Sequence, residues 1–266
     1  MSNQLIVSPI TLLLALILVL IALAINLKED LGMTKDLIIG VVRAVIQLTV
    51  VGFVLTYIIK ADTVWLTLAM IAVIIFNAAW NAKKRAGTIP NALVTSLLAI
   101  TTATGLTLVM LVAVKAIRFV PSQIVPICGM IASNVMVAIG LAYRSLNTEF
   151  NDLRQQVLER LALGADLKQA SQSLIVNAIK TGMAPTIDSA KTVGLVSLPG
   201  MMSGLIFAGI DPTKAIMYQI MVTFMLLGAT SIGSFIAVYR SYPRFYNARK
   251  QLRYKNNRRM NHLTTT

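Results

Sequence analysis

The chain has 266 residues, of which 56% are hydrophobic and 13% charged, with a mean hydropathy of +0.75 and a formal net charge of +14. That balance excludes a water-soluble domain of this size and makes the bilayer the solvent. The positive excess is distributed in blocks between apolar runs, which points to a membrane side and away from nucleic acid.

A membrane-crossing helix needs about 20 mostly apolar residues. Seven stretches qualify: Leu5 to Leu27, Leu37 to Ile59, Val64 to Asn81, Asn91 to Val114, Val120 to Tyr143, Thr192 to Ile210 and Ala215 to Tyr239. The first follows Met1-Ser2-Asn3-Gln4, which carries no Lys or Arg, and its apolar run exceeds that of a signal peptide, so it is expected to be retained. With these spans, nineteen Lys and Arg fall on one side and four on the other, with Arg43 inside the second span. The positive-inside rule puts the richer side in the cytoplasm. The expected fold is an all-α integral membrane protein of about seven transmembrane helices, N-terminus out and C-terminus in. Residues 1–239 then form a single membrane domain. Residues 240–266 form a basic cytoplasmic tail, with eight Lys and Arg, the single His262 and no acid, suited to anionic headgroups.

The fifth connection, Arg144 to Lys191, is far longer than the others. Phe150, Leu153, Val157 and Leu161 recur at helical spacing beside Asp152, Arg154, Glu159 and Arg160, which predicts an amphipathic extension of the fifth helix. Gly164 interrupts the pattern. A second amphipathic segment follows, with Ala170, Leu174, Ile175, Ala178 and Ile179 on one face, as far as Ala184-Pro185. Residues 144–191 are thus expected to be a cytoplasmic helical hairpin between the fifth and sixth spans, either a solvated connection or a docking element for a partner.

Several chemistries are absent. No G-x-x-x-x-G-K-[ST] loop occurs, so the chain holds no ATP cradle of its own, and the only histidine lies in the tail, which excludes H-E-x-x-H and Ser-His sites. The single cysteine, Cys128, excludes an intramolecular disulfide. A retinal Schiff base needs a lysine within the last span, and none lies between Lys214 and Lys250. The spans hold no carboxylate, which weighs against an ion-coupled secondary transporter as the rival reading.

Polar groups inside the spans are the candidates for function. Arg43 and Gln47 stack one turn apart on the second span, suited either to an anionic substrate or to snorkelling. Asn77 and Asn81 have the same spacing on the third and are expected to bond a neighbouring helix. In the fifth span Pro126 and Gly129 loosen the helix near Asn134. Cys128, Met130, Met136, Met201 and Met202 supply soft sulfur for a transition metal, and Met217, Met221 and Met225 form a stripe; packing is the competing role for all of these. In the sixth span Pro199 is expected to kink the helix, and Gly200 and Gly204 form a small-x-x-x-small seam.

Longer blocks carry a family resemblance. Leu161-Ala162-Leu163-Gly164-Ala165 with Gln169-Ala170, then Ala184-Pro185-Thr186-Ile187-Asp188-Ser189, then Val193 to Met202 through Leu198-Pro199-Gly200-Met201-Met202, resemble the signature of the FetB/YbbM-type ABC transporter permeases. Ala208-Gly209-Ile210-Asp211-Pro212, Ala215 and Tyr218-Gln219-Ile220 continue the match, and Arg43 to Gly52 and Pro126 to Met136 look like two further blocks. The resemblance implies a multi-pass permease subunit of the bacterial plasma (inner) membrane that exports iron, with resistance to metal and oxidative stress as the outcome. It implies two permease chains working with two separate ATP-binding subunits, which bind the ATP, so the chain itself is no enzyme and carries no cofactor. Leu161, Ala162, Leu163, Gly164, Ala165 and Gln169 become the site where the ATPase couples. Arg43, Gln47, Met130, Asn134, Met136, Met201, Met202 and Gln219 become candidates for the translocation path. No metal-ligand set is assigned. Two departures bear on cargo: Gly204-Leu205 stands where the family carries Gly-Gln, and Ser133 stands where a glycine precedes the asparagine. Plant relatives are linked to aluminium tolerance and nucleotide-sugar transport, so another metal or a nucleotide-sugar stays open as cargo.

Overall fold

A computed structural model describes residues 9–61 and 63–253. Leu5 to Ser8 of the first span, and the tail beyond Arg253 with Lys255, Arg258, Arg259 and His262, lie outside the described residues. The described secondary structure is helical: α1 (Pro9–Lys28), α2 (Thr34–Ala61), α3 (Val64–Arg85), α4 (Ala92–Ala113), α5 (Pro121–Asp152), α6 (Arg154–Ala162), α7 (Leu167–Thr192), α8 (Gly200–Phe207) and α9 (Pro212–Ser241), followed by a 3-10 turn at Tyr242–Phe245. Among these, α2, α3, α4, α5 and α9 with its 3-10 turn are long and apolar enough to cross a membrane.

The chain divides into two compact units, 1–63 and 64–266. The first contains the α1–α2 hairpin. Its turn is clipped by the buried Asn26, whose Oδ1 accepts from the Met33 N–H at 3.3 Å and the Thr34 hydroxyl at 3.2 Å.

In the second unit α5 is the central element, packed against α3, α7 and α9, while α4 packs against α3 and α9. Its buried face, with Ile124, Ile131, Val135, Ile139, Tyr143 and Leu146, meets a wall of small residues: Ala79 and Ala82 of α3, Ala178 of α7, Ala229 and Ala237 of α9. Small side chains let helices approach closely where lipid offers no hydrophobic driving force. The buried Tyr143 hydroxyl shares a hydrogen bond of 3.1 Å with Ser96 of α4. Asn147 anchors the α3–α4 turn, donating to the Ala86 carbonyl at 2.7 Å and accepting from Thr88 at 3.1 Å. Asn77 and Asn81, expected to reach a neighbouring helix, bond each other instead: the Asn81 amide donates to Asn77 Oδ1 at 2.8 Å.

One expectation needs correction. The sixth span, Thr192 to Ile210, is not one helix. α7 ends at Thr192, Gly194 takes φ +86°, the chain runs irregularly to Pro199, and only eight residues of α8 follow. Eight residues rise about 12 Å, far short of the ~30 Å hydrocarbon core. A glycine with positive φ and a proline without an N–H together end the helical ladder. The second arm of the hairpin packs against the bundle. The second half of α7 runs back along α5, where Gly182 lies so close that a Cβ there would stand 2.7 Å from the Ala138 carbonyl oxygen. Ala138 belongs to the stretch read as the fifth span, so α7 runs beside it, while α8, after the break, packs against α9.

The start of the tail is built into the protein. Phe245 stacks on Phe150 of α5 with ring centres 4.1 Å apart, and Tyr246, buried, meets Phe150 edge-on and shares a hydrogen bond with Ser171 of α7. The chain then closes a tight hairpin, with the Arg253 N–H donating to the Phe245 carbonyl at 2.8 Å and Leu252 buried.

Candidate translocation site

A cavity of about 130 Å³ opens where α7 breaks, lined from α5, α7 and α9. Asn134 contributes from α5; Gly182, Pro185, Thr186 and Ser189 from α7; Gln219 and Thr223 from α9. Two of the residues singled out in the sequence, Asn134 and Gln219, are thus brought to one place from elements more than eighty residues apart in the chain.

Its polar chemistry is oxygen. The Asn134 amide donates to the Met130 carbonyl one turn back at 2.8 Å, and its Oδ1 accepts nothing among the described residues. Gln219 Oε1 is buried without a hydrogen-bond partner. Thr223 donates to the Gln219 backbone carbonyl at 2.9 Å, which fixes its hydroxyl proton away from the side-chain oxygen. At the end of α7 the carbonyls of Ala190 and Lys191 receive no backbone hydrogen bond among the described residues, because the Gly194 N–H turns to Ser197 and the Leu195 N–H to Thr192 instead. A helix C-terminus carries partial negative charge. Acceptor oxygens and a helix end of negative sign, with no carboxylate among the lining residues, are groups that can receive a cation. In broken transporter helices the same parts, unwound carbonyls and half-helix ends, receive cations.

The path candidates of the second unit other than Asn134 and Gln219 are not among the residues that line this cavity. Arg43 and Gln47 stand on α2, exposed. Met130, Met136 and Met201 are partly buried and pack against the core, and Met202 is buried. The stripe of Met217, Met221 and Met225 runs from exposed through half-buried to buried, as expected of one helix face turning into a core. Among the described residues no group of three or more His, Cys, Asp or Glu side chains gathers as a metal site. Within the single chain, nothing lies within 4 Å of a Cβ placed at Gly129, Gly200 or Gly204; Pro126 lies inside α5, and Pro199 caps α8. The sequence reading missed Gly182, Thr186, Ser189 and Thr223. The Ala184-Pro185 break drew attention to their neighbourhood, but α7 reads as a polar cytoplasmic segment and gave no reason to place them against the fifth span.

The coupling candidates form a rigid turn between α6 and α7. Gly164 at φ +91° closes α6 with the Ala165 N–H donating to the Arg160 carbonyl and the Gly164 N–H to Leu161, both at 3.0 Å, the double bond of a Schellman cap. Asp166 starts α7 with a reciprocal capping box: its Oδ1 accepts from the Gln169 N–H at 2.6 Å and its N–H donates to Gln169 Oε1 at 3.2 Å. Gln169 therefore serves the cap. Leu161 and Ala165 pack inward, Ala162 is exposed, and Leu163 is left 88% exposed at the tip. The Arg160 guanidinium ties the two arms, donating to the Ala170 carbonyl and the Ser173 hydroxyl at 3.3 and 3.1 Å.

A polytopic helical protein with an oxygen-lined cavity beside a discontinuous helix has the architecture of a membrane permease. The model of the Uncharacterised protein family (UPF0014) matches residues 9–246, and the chain belongs to that family. It is 55% identical over 239 residues to the "Probable iron export permease protein FetB" of Escherichia coli (strain K12), covering 90% of this chain and 92% of that protein. It is 34% identical to the "Protein ALUMINUM SENSITIVE 3" of Arabidopsis thaliana, over 90% of this chain and 87% of that protein. The "UPF0014 membrane protein YjkA" of Bacillus subtilis (strain 168) is 33% identical, over 90% and 96% respectively. No solved structure matches the chain.

Proposed function

We propose that the chain is the membrane subunit of an ATP-driven exporter that moves iron out across the bacterial inner membrane, with ATP bound by a separate subunit. The observation that carries this reading is the α6–α7 turn: an apolar tip, capped rigidly on both sides and left uncovered, in a chain with no phosphate loop of its own. The positive-inside rule favours a cytoplasmic side for the basic connections and for this tip, where an ATP-binding subunit could grip it, and α7 links the tip to the cavity beside Asn134. The printed name of the Escherichia coli relative supports iron as cargo. Amide, hydroxyl and carbonyl oxygens suit passage of a divalent ion better than its storage.

Two copies of the chain complete the transporter in this reading. Leu195 and Val196 at the break are 91% and 81% exposed, and the carbonyls of Gly194, Leu195 and Val196 accept no hydrogen bond among the described residues. Unpaired backbone at membrane depth is tolerated only where protein or a water-filled path covers it. The open glycines of α8 leave room for a second copy to do so.

The test is copurification with the ATP-binding subunit. Leu163→Asp is expected to abolish it while the melting midpoint of the chain stays unchanged. Retention of the ATPase by this variant, or transport in cells lacking any such ATPase, overturns the reading.

A further inference from the structure

On the face where the tail hairpin closes lies a second cavity of about 160 Å³, separate from the translocation site. Three arginines from three elements line it: Arg154 at the start of α6, Arg244 in the 3-10 turn and Arg253 at the end of the tail hairpin. Its other walls include Phe150, Phe245 and Leu252, and no Asp or Glu lines it.

Backbone carbonyls hold these arginines together. Arg154 donates to the Arg253 carbonyl at 3.0 Å, Arg253 Nε to the Tyr246 carbonyl at 3.1 Å, and Arg244 to the Pro90 carbonyl. A guanidinium has five N–H donors. Arg244 and Arg253 each use one in these bonds and form no ion pair among the described residues. Three positive charges thus line one cavity with aromatic walls, Arg244 and Arg253 bring spare donors to it, and apolar walls strengthen the field inside. On the same measure a single water needs only about 10–15 Å³, so the cavity has room for a group of several atoms. The planar fork of arginine matches phosphoryl oxygens.

We infer that Arg154, Arg244 and Arg253 form a binding site for a phosphoryl anion, either the headgroup of an anionic phospholipid or a free phosphate. The ligand joins the tail hairpin to the first residue of α6, and so to the arm that carries the Leu163 tip. The site depends neither on the cargo nor on an ATP-binding subunit.

The experiment uses the full chain, purified and delipidated in a neutral detergent, with its melting midpoint followed in two titrations. One adds phosphatidic acid or phosphatidylglycerol, with phosphatidylcholine as control. The other adds inorganic phosphate, with chloride at matched ionic strength as control. A saturable rise is expected in at least one series, and which series responds identifies the source. The Arg244→Gln/Arg253→Gln pair is expected to shift half-saturation at least tenfold upward. Asn151→Asp, which sets a carboxylate at the cavity wall and leaves all three arginines in place, does the same and covers the case in which the double variant fails to fold. No saturable response in either series, or half-saturation that Asn151→Asp leaves unmoved, overturns the inference.

Discussion

Gly182 and Gln219 are the two positions where a single side chain decides the most. A Cβ at Gly182 meets the Ala138 carbonyl oxygen at 2.7 Å and Ala142 and Ser234 side chains at 3.1 Å, so α7 can reach α5 only with glycine here. Gly182→Ala is expected to cost about 1–3 kcal/mol through overpacking against backbone that cannot yield. Gly129→Ala, in open space on α5, is expected to gain up to about 1 kcal/mol of helix propensity. Thermal unfolding in detergent separates the two; equal melting points contradict the close approach. Gln219 argues the opposite way. Its buried, unpartnered Oε1 carries a desolvation penalty of about 1–3 kcal/mol, so Gln219→Leu is expected to hold or raise stability while lowering transport. A variant that transports normally removes Gln219 from the path.

At the scale of elements, α6 and α7 explain why a polar stretch can be both lever and lining. Val157 and Leu174 are buried between the arms while Leu163 faces outward, so Leu163→Asp touches no internal contact and is expected to change stability by less than about 0.5 kcal/mol. That contrast makes loss of the ATPase in this variant a statement about docking. The tip was legible in the sequence because Gly164 interrupts a helical period and sits in a recognisable block. The course of α7 was not. The apolar face through Leu174 and Ile175 was legible, but the closest approach to α5 is made by Gly182, which does not register as hydrophobic, while Lys180, Asp188 and Lys191 make the segment read as cytoplasmic. The tail shows the same limit: Phe245 and Tyr246 meet Phe150 across nearly a hundred residues, a pairing no local period encodes.

At the scale of the whole molecule, composition was enough to specify a multi-pass helical membrane protein, and the apolar runs located α2 to α5 and α9. The run at Thr192 to Ile210 misled because hydropathy averages over Gly194, Pro199 and Gly200 without registering that they break a helix. That break leaves the Ala190 carbonyl, at the cavity that Asn134 and Gln219 also line, without a backbone hydrogen bond, and in the proposed function a motor at the α6–α7 tip acts on the path through it. The most direct test is iron accumulation by inside-out vesicles from cells carrying the chain with its ATP-binding subunit. Accumulation that begins on adding ATP and vanishes with Leu163→Asp is the predicted result. Accumulation that follows a proton gradient without ATP, or that Leu163→Asp leaves intact, would contradict it.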